Sequence, residues 1–345
     1  MPPSNEFQHA VYTRTDPGDR VGYREYAAGA SPDSPAWQDA MATLGTQLAD
    51  ARVRAVVFLH GTFLSTDPFG IQRLDEAGGL KRGYSRGIPG IDALLALMRE
   101  ETNGLPKLHG GPRPPFQDDD PIKSLLDEHT SDAGNFTTAY VNLFGKAISR
   151  NVPIPISTLR ILWSCEHHHL GRAHAAVHLI NRLTTVCDEL KLGAGDRILV
   201  QAHGQAGLLP ALISNLLAPG ESAGRARFLE VLNSTAGPDV LKTLEHIQGL
   251  IQSPTVLNGV SLDVVTFGTP VRYGWDPSGL GKLLHIVNHR PMRIDGKQWL
   301  AKMELPQITM EMPIAWGGDY VQQLAVAGTD TVPTSPEAKT ANKSL

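Results

Sequence analysis

Short apolar runs alternate with segments of helical periodicity along this chain, and this alternation limits its possible folds more than any other feature. The clearest run, RAVVFLH at 54–60, is rich in β-branched residues, which is typical of strands buried on both faces of a parallel sheet. Residues 37–51 and 170–190 carry apolar side chains at spacings of three and four, which predicts helices. The predicted strands lie at 54–60, 157–163, 197–201, 260–268 and 283–289, with a last candidate strand at 320–327. We therefore predict an α/β protein with a doubly wound, mostly parallel sheet.

The remaining segments are organised around this sheet. Residues 9–15 and 21–28 flank a TDPGD turn signal, and we predict that they form an N-terminal β-hairpin. The interval of about 62–155 is too long for an ordinary connection between strands, so we predict an insertion there, which is a candidate lid. We expect one domain over residues 1–330. The tail at 331–345 is polar and contains proline, which predicts disorder.

Composition narrows the function classes. Of the 345 residues, 41% are hydrophobic and 19% are charged, and the formal net charge is -4, which gives no basic surface for nucleic acid. No stretch approaches the roughly 18 uninterrupted apolar residues of a membrane-spanning helix, and the first residues do not resemble a secretory signal. The two cysteines are compatible with a reducing compartment. We therefore expect a cytoplasmic protein with no nucleic-acid partner and no transmembrane segment, and the oligomeric state stays open.

Three segments carry chemistry at the carboxyl edge of the predicted sheet. ILVQAHGQAG at 198–207 leads from a strand through small residues into a helix, VVFLHGTF at 56–63 ends in a His-Gly turn, and VVTFGTP at 264–270 follows later. In this order they resemble the α/β-hydrolase superfamily, in its esterase and lipase branch. The resemblance implies an α/β-hydrolase-like fold, a nucleophile elbow at AHGQAG, an oxyanion hole shaped by the His-Gly turn, and an ester- or acyl-type small molecule as ligand. It implies no cofactor.

The elbow has no nucleophile. The family pattern is G-x-S-x-G, and Gly204 stands where the serine would be. Glycine reaches the positive φ of the apex without steric cost, but it has no Oγ with which to form an acyl-enzyme. The backbone N–H of Gln205, with one from Thr62 or Phe63, can still form an oxyanion hole. The predicted oxyanion and binding residues are His60, Gly61, Thr62, Phe63, His203 and Gln205; of these, His203 is expected to pack under the turn.

The other two positions of a catalytic triad also depart from the family pattern. The family histidine follows the last strand, but no histidine follows His289 in this chain. The nearest arrangement pairs Asp276 with His289, one strand early. A turn cap and a surface residue are the alternative interpretation of these two positions. The preferred hypothesis is therefore a catalytically impaired relative of serine esterases and lipases, with the origin of Gly204, natural or introduced, left open.

A second group of polar residues follows the predicted strand at 157–163. The segment CEHHHLGRAHAAVH contains His174 and His178 at a spacing of four, which places them on one face of a helix and suits a metal site. Glu166 and His169 lie just before them, as a candidate acid–base pair or substrate-positioning groups. The first alternative function is thus an active hydrolase that uses a metal or an activated water here. The second alternative is a non-catalytic interaction scaffold.

Overall fold

The structure is a computed structural model. It describes residues 29–61, 123–124, 127–128, 131–132, 136–163, 168–220, 223–235, 241, 244–249, 256–288, 319, 321–322, 333 and 336–345. The predicted N-terminal hairpin and most of the predicted insertion lie outside these residues.

Strands and helices alternate through the described core. The strands are β1 (Val53–Leu59), β2 (Ser157–Ile161), β3 (Arg197–His203), β4 (Ser261–Phe267) and β5 (Lys282–Ile286). The helices are α1 (Pro35–Asp50), α2 (Thr138–Ile148), α3 (His169–Glu189), α4 (Leu208–Leu217), α5 (Ala223–Thr235) and α6 (Pro336–Ser344). The prediction of an α/β fold with a parallel sheet is confirmed.

The five strands form one sheet in the order β2-β1-β3-β4-β5, and every neighbouring pair is parallel. After β1 the chain adds β2 on one side and then returns to place β3 on the other, so the direction of winding changes between β1 and β3. In open α/β sheets, ligands bind outside the carboxyl ends of the strands at such a point. Sheets with unrelated functions share this order, so it does not single out the α/β-hydrolase arrangement.

Helices cover both faces of the sheet, and the side chains of β1 show how. Ala55, Val57 and Leu59 point into a core that is completed by α3, α4, α5 and α6. Val56 and Phe58 point the other way, into a second core with α1 and α2. The alternation follows the two-residue period of a strand, and it explains why both classes of position in RAVVFLH are apolar.

Two helices in the described residues have starts that are readable from sequence. Ser34 precedes α1 and accepts a hydrogen bond from the Trp37 N–H at 3.3 Å, while Pro35 occupies the first helical position, where its missing N–H costs nothing. In α2, Thr137 accepts from the Tyr140 N–H at 3.1 Å. The apolar side of α2, with Val141 and Phe144, packs in the second core, so this part of the interval 62–155 belongs to the body of the fold.

The C-terminal segment corrects one expectation. Disorder was predicted for 331–345 because the segment is polar, but Pro336–Ser344 form α6. Ala341 is buried in the core with α3 and α5, and Asn342 accepts a hydrogen bond from the Leu170 N–H at 2.9 Å. This N–H lies in the first turn of α3 and has no partner within its own helix. Tertiary contacts thus order a segment whose local sequence predicts disorder.

None of the helices in the described ranges combines the length and the apolar character that crossing a membrane requires.

Candidate functional site

The turn after β3 occupies the centre of the carboxyl edge. β3 ends at His203, the chain passes through Gly204 with φ of 55°, and a 3₁₀ turn over Gly204–Gly207 leads into α4. Residues with a Cβ rarely adopt this left-handed backbone, which costs them about 1–2 kcal/mol. Gly204 relieves that cost, and Ala202 and Ala206 are fully buried beside it.

The loop after β4 packs directly on this turn. Thr269 donates a hydrogen bond from Oγ1 to the Gly204 carbonyl at 2.9 Å. Thr269 also packs against Gly207, and a Cβ added to Gly207 would lie 2.0 Å from the Oγ1 of Thr269. Gly268, with φ of 59°, turns the chain so that Thr269 reaches these positions. The fold therefore brings together VVTFGTP and AHGQAG, which are more than fifty residues apart in sequence.

Replacing Gly207 with alanine is expected to lower the free energy of unfolding by about 2 kcal/mol, although alanine is the better helix former. The new Cβ would also lie 2.7 and 2.8 Å from Cγ2 and Cβ of Thr269, so rotation of the threonine side chain does not remove the clash. Urea unfolding measures the loss. Gly193→Ala is the matched control, because a Cβ there would meet nothing within 4 Å. Adding Thr269→Ala should recover part of the loss, and an unchanged midpoint for Gly207→Ala would contradict the close contact.

His60 joins the carboxyl ends of β1 and β2. Its Nε2 accepts a hydrogen bond from the Trp163 N–H at 3.1 Å, and its own carbonyl accepts from the Trp163 indole N–H at 2.9 Å. Its Nδ1 lies 2.9 Å from the Gly61 carbonyl, which assigns the proton to Nδ1. Burial lowers the pKa of His60 to about 3, so the ring is neutral and its role is structural. The predicted partners Thr62 and Phe63 lie outside the described residues.

The side chain of Gln205 is fixed by hydrogen bonds from a buried arginine, Arg172. Its side-chain oxygen accepts hydrogen bonds from Arg172 Nε and Nη2 at 3.2 and 3.1 Å, and both residues are fully buried. Arg172 Nη1 donates to the Tyr273 hydroxyl at 3.2 Å, and His169 Nδ1 lies 2.8 Å from the same hydroxyl. Gln205 and His169 were predicted in separate clusters, but Arg172 and Tyr273 connect them. No local sequence signal marks this connection, because it depends on which face of α3 meets the sheet.

The predicted histidine cluster divides between two sides of α3. At about 100° per residue, His174 and His178 lie roughly 140° and 180° around the helix from His169. Burial lowers the pKa of His174 and of His178 to about 4, so both rings are neutral at neutral pH. Within the described ranges, no group of three or more His, Cys, Asp or Glu side chains is arranged to hold a metal ion. Glu166 lies outside those ranges.

Asp276 has a structural role in the loop after β4. Its carboxylate accepts hydrogen bonds from the N–H of Ser278 at 2.9 Å and from the Ser278 hydroxyl at 2.5 Å, and thereby caps the 3₁₀ turn Pro277–Gly279. Its own N–H donates to Ser214 Oγ of α4 at 3.0 Å. These contacts agree with the turn-cap interpretation. The pairing with His289 stays a prediction, because His289 lies outside the described residues.

A second carboxylate, absent from the sequence-based candidates, lies at the carboxyl edge. Asp319 is buried and accepts hydrogen bonds from the N–H groups of Asn288 and Val321 at 2.6 and 2.7 Å. Burial lowers the pKa of His203, and the negative charge of Asp319 acts in the opposite direction. The ring of His203 lies edge-on to Phe136, with centroids 6.3 Å apart. His203 thus packs against Phe136 beside the turn, with Asp319 as a nearby charge.

The carboxyl edge thus gathers Gly204, Gln205, Thr269 and the His60–Gly61 turn around the point where the winding of the sheet changes direction. Comparisons of this chain with protein-family models, with curated proteins and with solved structures find no match.

Proposed function

We propose that this chain is an α/β-hydrolase-like protein, related to serine esterases and lipases, that binds an ester- or acyl-type small molecule without forming an acyl-enzyme. The observation that carries the proposal is the left-handed backbone of Gly204 between β3 and α4, at the point where the winding of the sheet reverses. A serine nucleophile requires this strand–turn–helix geometry, and glycine retains the geometry without the Oγ.

The environment of the turn supports the binding of a carbonyl oxygen. The first N–H groups of a helix have no acceptor within the helix, and they carry partial positive charge that favours an oxygen ligand. Gln205 follows Gly204 directly, and its two hydrogen bonds to Arg172 fix the side chain and therefore the peptide that bears its N–H. A donor that is held in place before the ligand arrives stabilises the ligand oxygen without paying for reorganisation.

His60 and Trp163 support the proposal from the neighbouring strands. β1 and β3 are in register through the pair Leu59 and Ala202, so the His60–Gly61 turn and the Gly204 turn leave the sheet side by side. The hydrogen bonds between His60 and Trp163 fix the first of these turns. Two rigid turns that adjoin at one edge are the arrangement from which an oxyanion hole is built.

Labelling by a fluorophosphonate probe tests the proposal. The probe phosphonylates an activated serine Oγ and releases fluoride, so the native chain and Gly204→Ala are expected to remain unlabelled. Gly204→Ser is expected to react, and the amide analogue N-(4-nitrophenyl)butanamide should slow that reaction by competing for the acyl site. Saturation-transfer NMR should detect intact 4-nitrophenyl butyrate on the native chain, which has no nucleophile at the turn to consume it.

Two results would contradict the proposal. If Gly204→Ser stays unlabelled while it unfolds at the same urea concentration as Gly204→Ala, the turn does not adjoin a functional acyl site. If neither the ester nor its amide analogue gives a saturation-transfer signal with the native chain, the chain does not bind this class of ligand.

A further inference from the structure

A separate cleft lies between α3 and the carboxyl ends of β1 and β2. Its volume is about 160 Å³, and Gly204 and Gln205 are not among the residues that line it. The wall on the strand side is apolar and includes Leu59 at the end of β1 and Trp163 after β2, with Leu209 of α4 beside them. This wall belongs to the same core that α3 covers, so its shape is fixed by close packing.

The wall formed by α3 carries a polar stripe. His178, Asn181, Arg182 and Thr185 all line the cleft, and their spacings of three, one and three residues put them on one face of the helix. Among the described residues that line the cleft, Arg182 alone carries a charge at neutral pH, because burial keeps His178 neutral with a pKa of about 4. The cleft therefore combines an apolar wall with a polar wall that has one positive charge.

We propose that this cleft binds a small carboxylate with a compact apolar body, such as an aromatic or branched aliphatic acid. The size fits, since an engineered apolar cavity of about 150 Å³ holds benzene. An apolar ring would lie against Leu162 and Trp163. The carboxylate would meet the guanidinium of Arg182, which suits carboxylates because its N–H groups form a planar fork. The inference concerns a different site from the proposed acyl site and does not depend on it.

One ion pair of Arg182 is weak enough to be compatible with this role. Arg182 Nη1 lies 3.5 Å from Oε1 of Glu189, about two turns further along α3, and both side chains are partly exposed to solvent. Ion pairs of this length and exposure contribute little to stability, so a ligand carboxylate that is shielded by the apolar wall can compete for the guanidinium. The adjacent Asn181, and His178 one turn away on the same face, supply neutral hydrogen-bonding groups for the second carboxylate oxygen.

Titration of the native chain with benzoate, followed by methyl chemical shifts and by calorimetry, tests the proposal. We expect saturable binding that shifts the methyl signals of Leu59, Leu179 and Leu209. Arg182→Met keeps the length of the side chain but removes the charge, and we expect it to weaken benzoate binding about 10-fold or more. Arg227→Met is the matched control, because Arg227 also forms an ion pair on the surface of a helix, with Glu230 at 2.8 Å.

Benzamide, which has the same shape without the charge, should bind about 10-fold more weakly than benzoate to the native chain. Absence of saturable binding, equal affinity of benzoate and benzamide, unchanged affinity in Arg182→Met, or shifts confined to methyl groups elsewhere would each overturn the proposal. Gly204→Ala should bind benzoate as the native chain does. If Gly204→Ser is not labelled but benzoate binds normally, the proposed function is refuted and the carboxylate site is supported. If Gly204→Ser is labelled but benzoate does not bind, the carboxylate site is refuted and the proposed function is supported.

Discussion

Gly204→Ser is expected to hydrolyse 4-nitrophenyl butyrate at least ~10²-fold faster than the native chain or Gly204→Ala, because in the proposed acyl site the substitution supplies the Oγ that the turn lacks. The turn, the anchored peptide of Gln205 and the contact of Thr269 with the Gly204 carbonyl are already in place. Removing the serine of a complete serine hydrolase lowers kcat by about 10⁶-fold. The smaller gain that we expect reflects a histidine and an acid whose arrangement departs from the family pattern.

Gly204→Ala is the matched control for this experiment. At φ of 55°, serine and alanine both pay about 1–2 kcal/mol for a Cβ in the left-handed region, so the two variants share the same strain and differ only in the Oγ. Values of kcat/KM for the three proteins, with urea unfolding of each, separate chemistry from stability. Equal inactivity of both folded variants would refute an intact acyl-transfer site. Equal activity of all three proteins would mean that hydrolysis takes place away from the Gly204 turn. His169 would then be the first residue to substitute in a search for the active group.

The strands were predictable because their signal is local and strong. Predicted and observed strands agree to within about two residues for 54–60, 157–163 and 260–268. The signal is clearest in β1, where both faces are apolar because helices cover the sheet on both sides. β5 shows the limit of the same argument. Its sequence KLLHI predicts a buried strand, and it does pair with β4, but all five of its residues are exposed. Apolar sequence identifies a strand here without fixing how deeply it is buried.

The contacts of the candidate site were less predictable because they join distant segments. The sequence marks Gly204 through the pattern AHGQAG, but it does not indicate that Thr269 supports the turn or that Arg172 anchors Gln205. Both contacts depend on the order of the strands and on which face of α3 meets the sheet. Asp319 was missed for the same reason, since its neighbours Asn288 and His203 come from two other strand ends.

Acidification is expected to lower the free energy of unfolding by about 3 kcal/mol between about pH 7.5 and pH 5.5. Burial lowers the pKa of His60 to about 3 and lowers the pKa values of His168, His174 and His178 to about 4. In the unfolded chain these histidines titrate near the ordinary value of about 6.5, so below that pH the unfolded state binds more protons than the native state. The stability contributed by their neutral forms is therefore complete above about pH 6.5 and is lost as the pH falls toward about 4.

The magnitude follows from counting protons. Between about pH 7.5 and pH 5.5, each histidine that stays neutral in the native state lowers the free energy of unfolding by up to about 1.4 kcal/mol. Four such histidines would lower it by about 5.5 kcal/mol. Of these four residues only His60 is fully buried, and the other three are partly exposed, which reduces the total to about 3 kcal/mol. Aspartate and glutamate titrate near 4 in unfolded chains, so they contribute little above about pH 5.5. Urea unfolding at several pH values in this range measures the slope directly.

His174→Gln measures the contribution of one histidine to the pH dependence of the free energy of unfolding. The Nε2 of His174 is buried and makes no hydrogen bond within the described part of the chain, so glutamine removes the titration without breaking a contact there. We expect the dependence of unfolding free energy on pH to become shallower by up to one proton, while His246→Gln, at an exposed position of the helical segment 244–249, serves as the control. The slope is the informative quantity, because a substitution that merely loosens packing shifts the midpoint equally at every pH. Parallel curves for the native chain and His174→Gln would show that this ring is already hydrated in the native state, and would remove His174 from the set that makes the fold sensitive to acid.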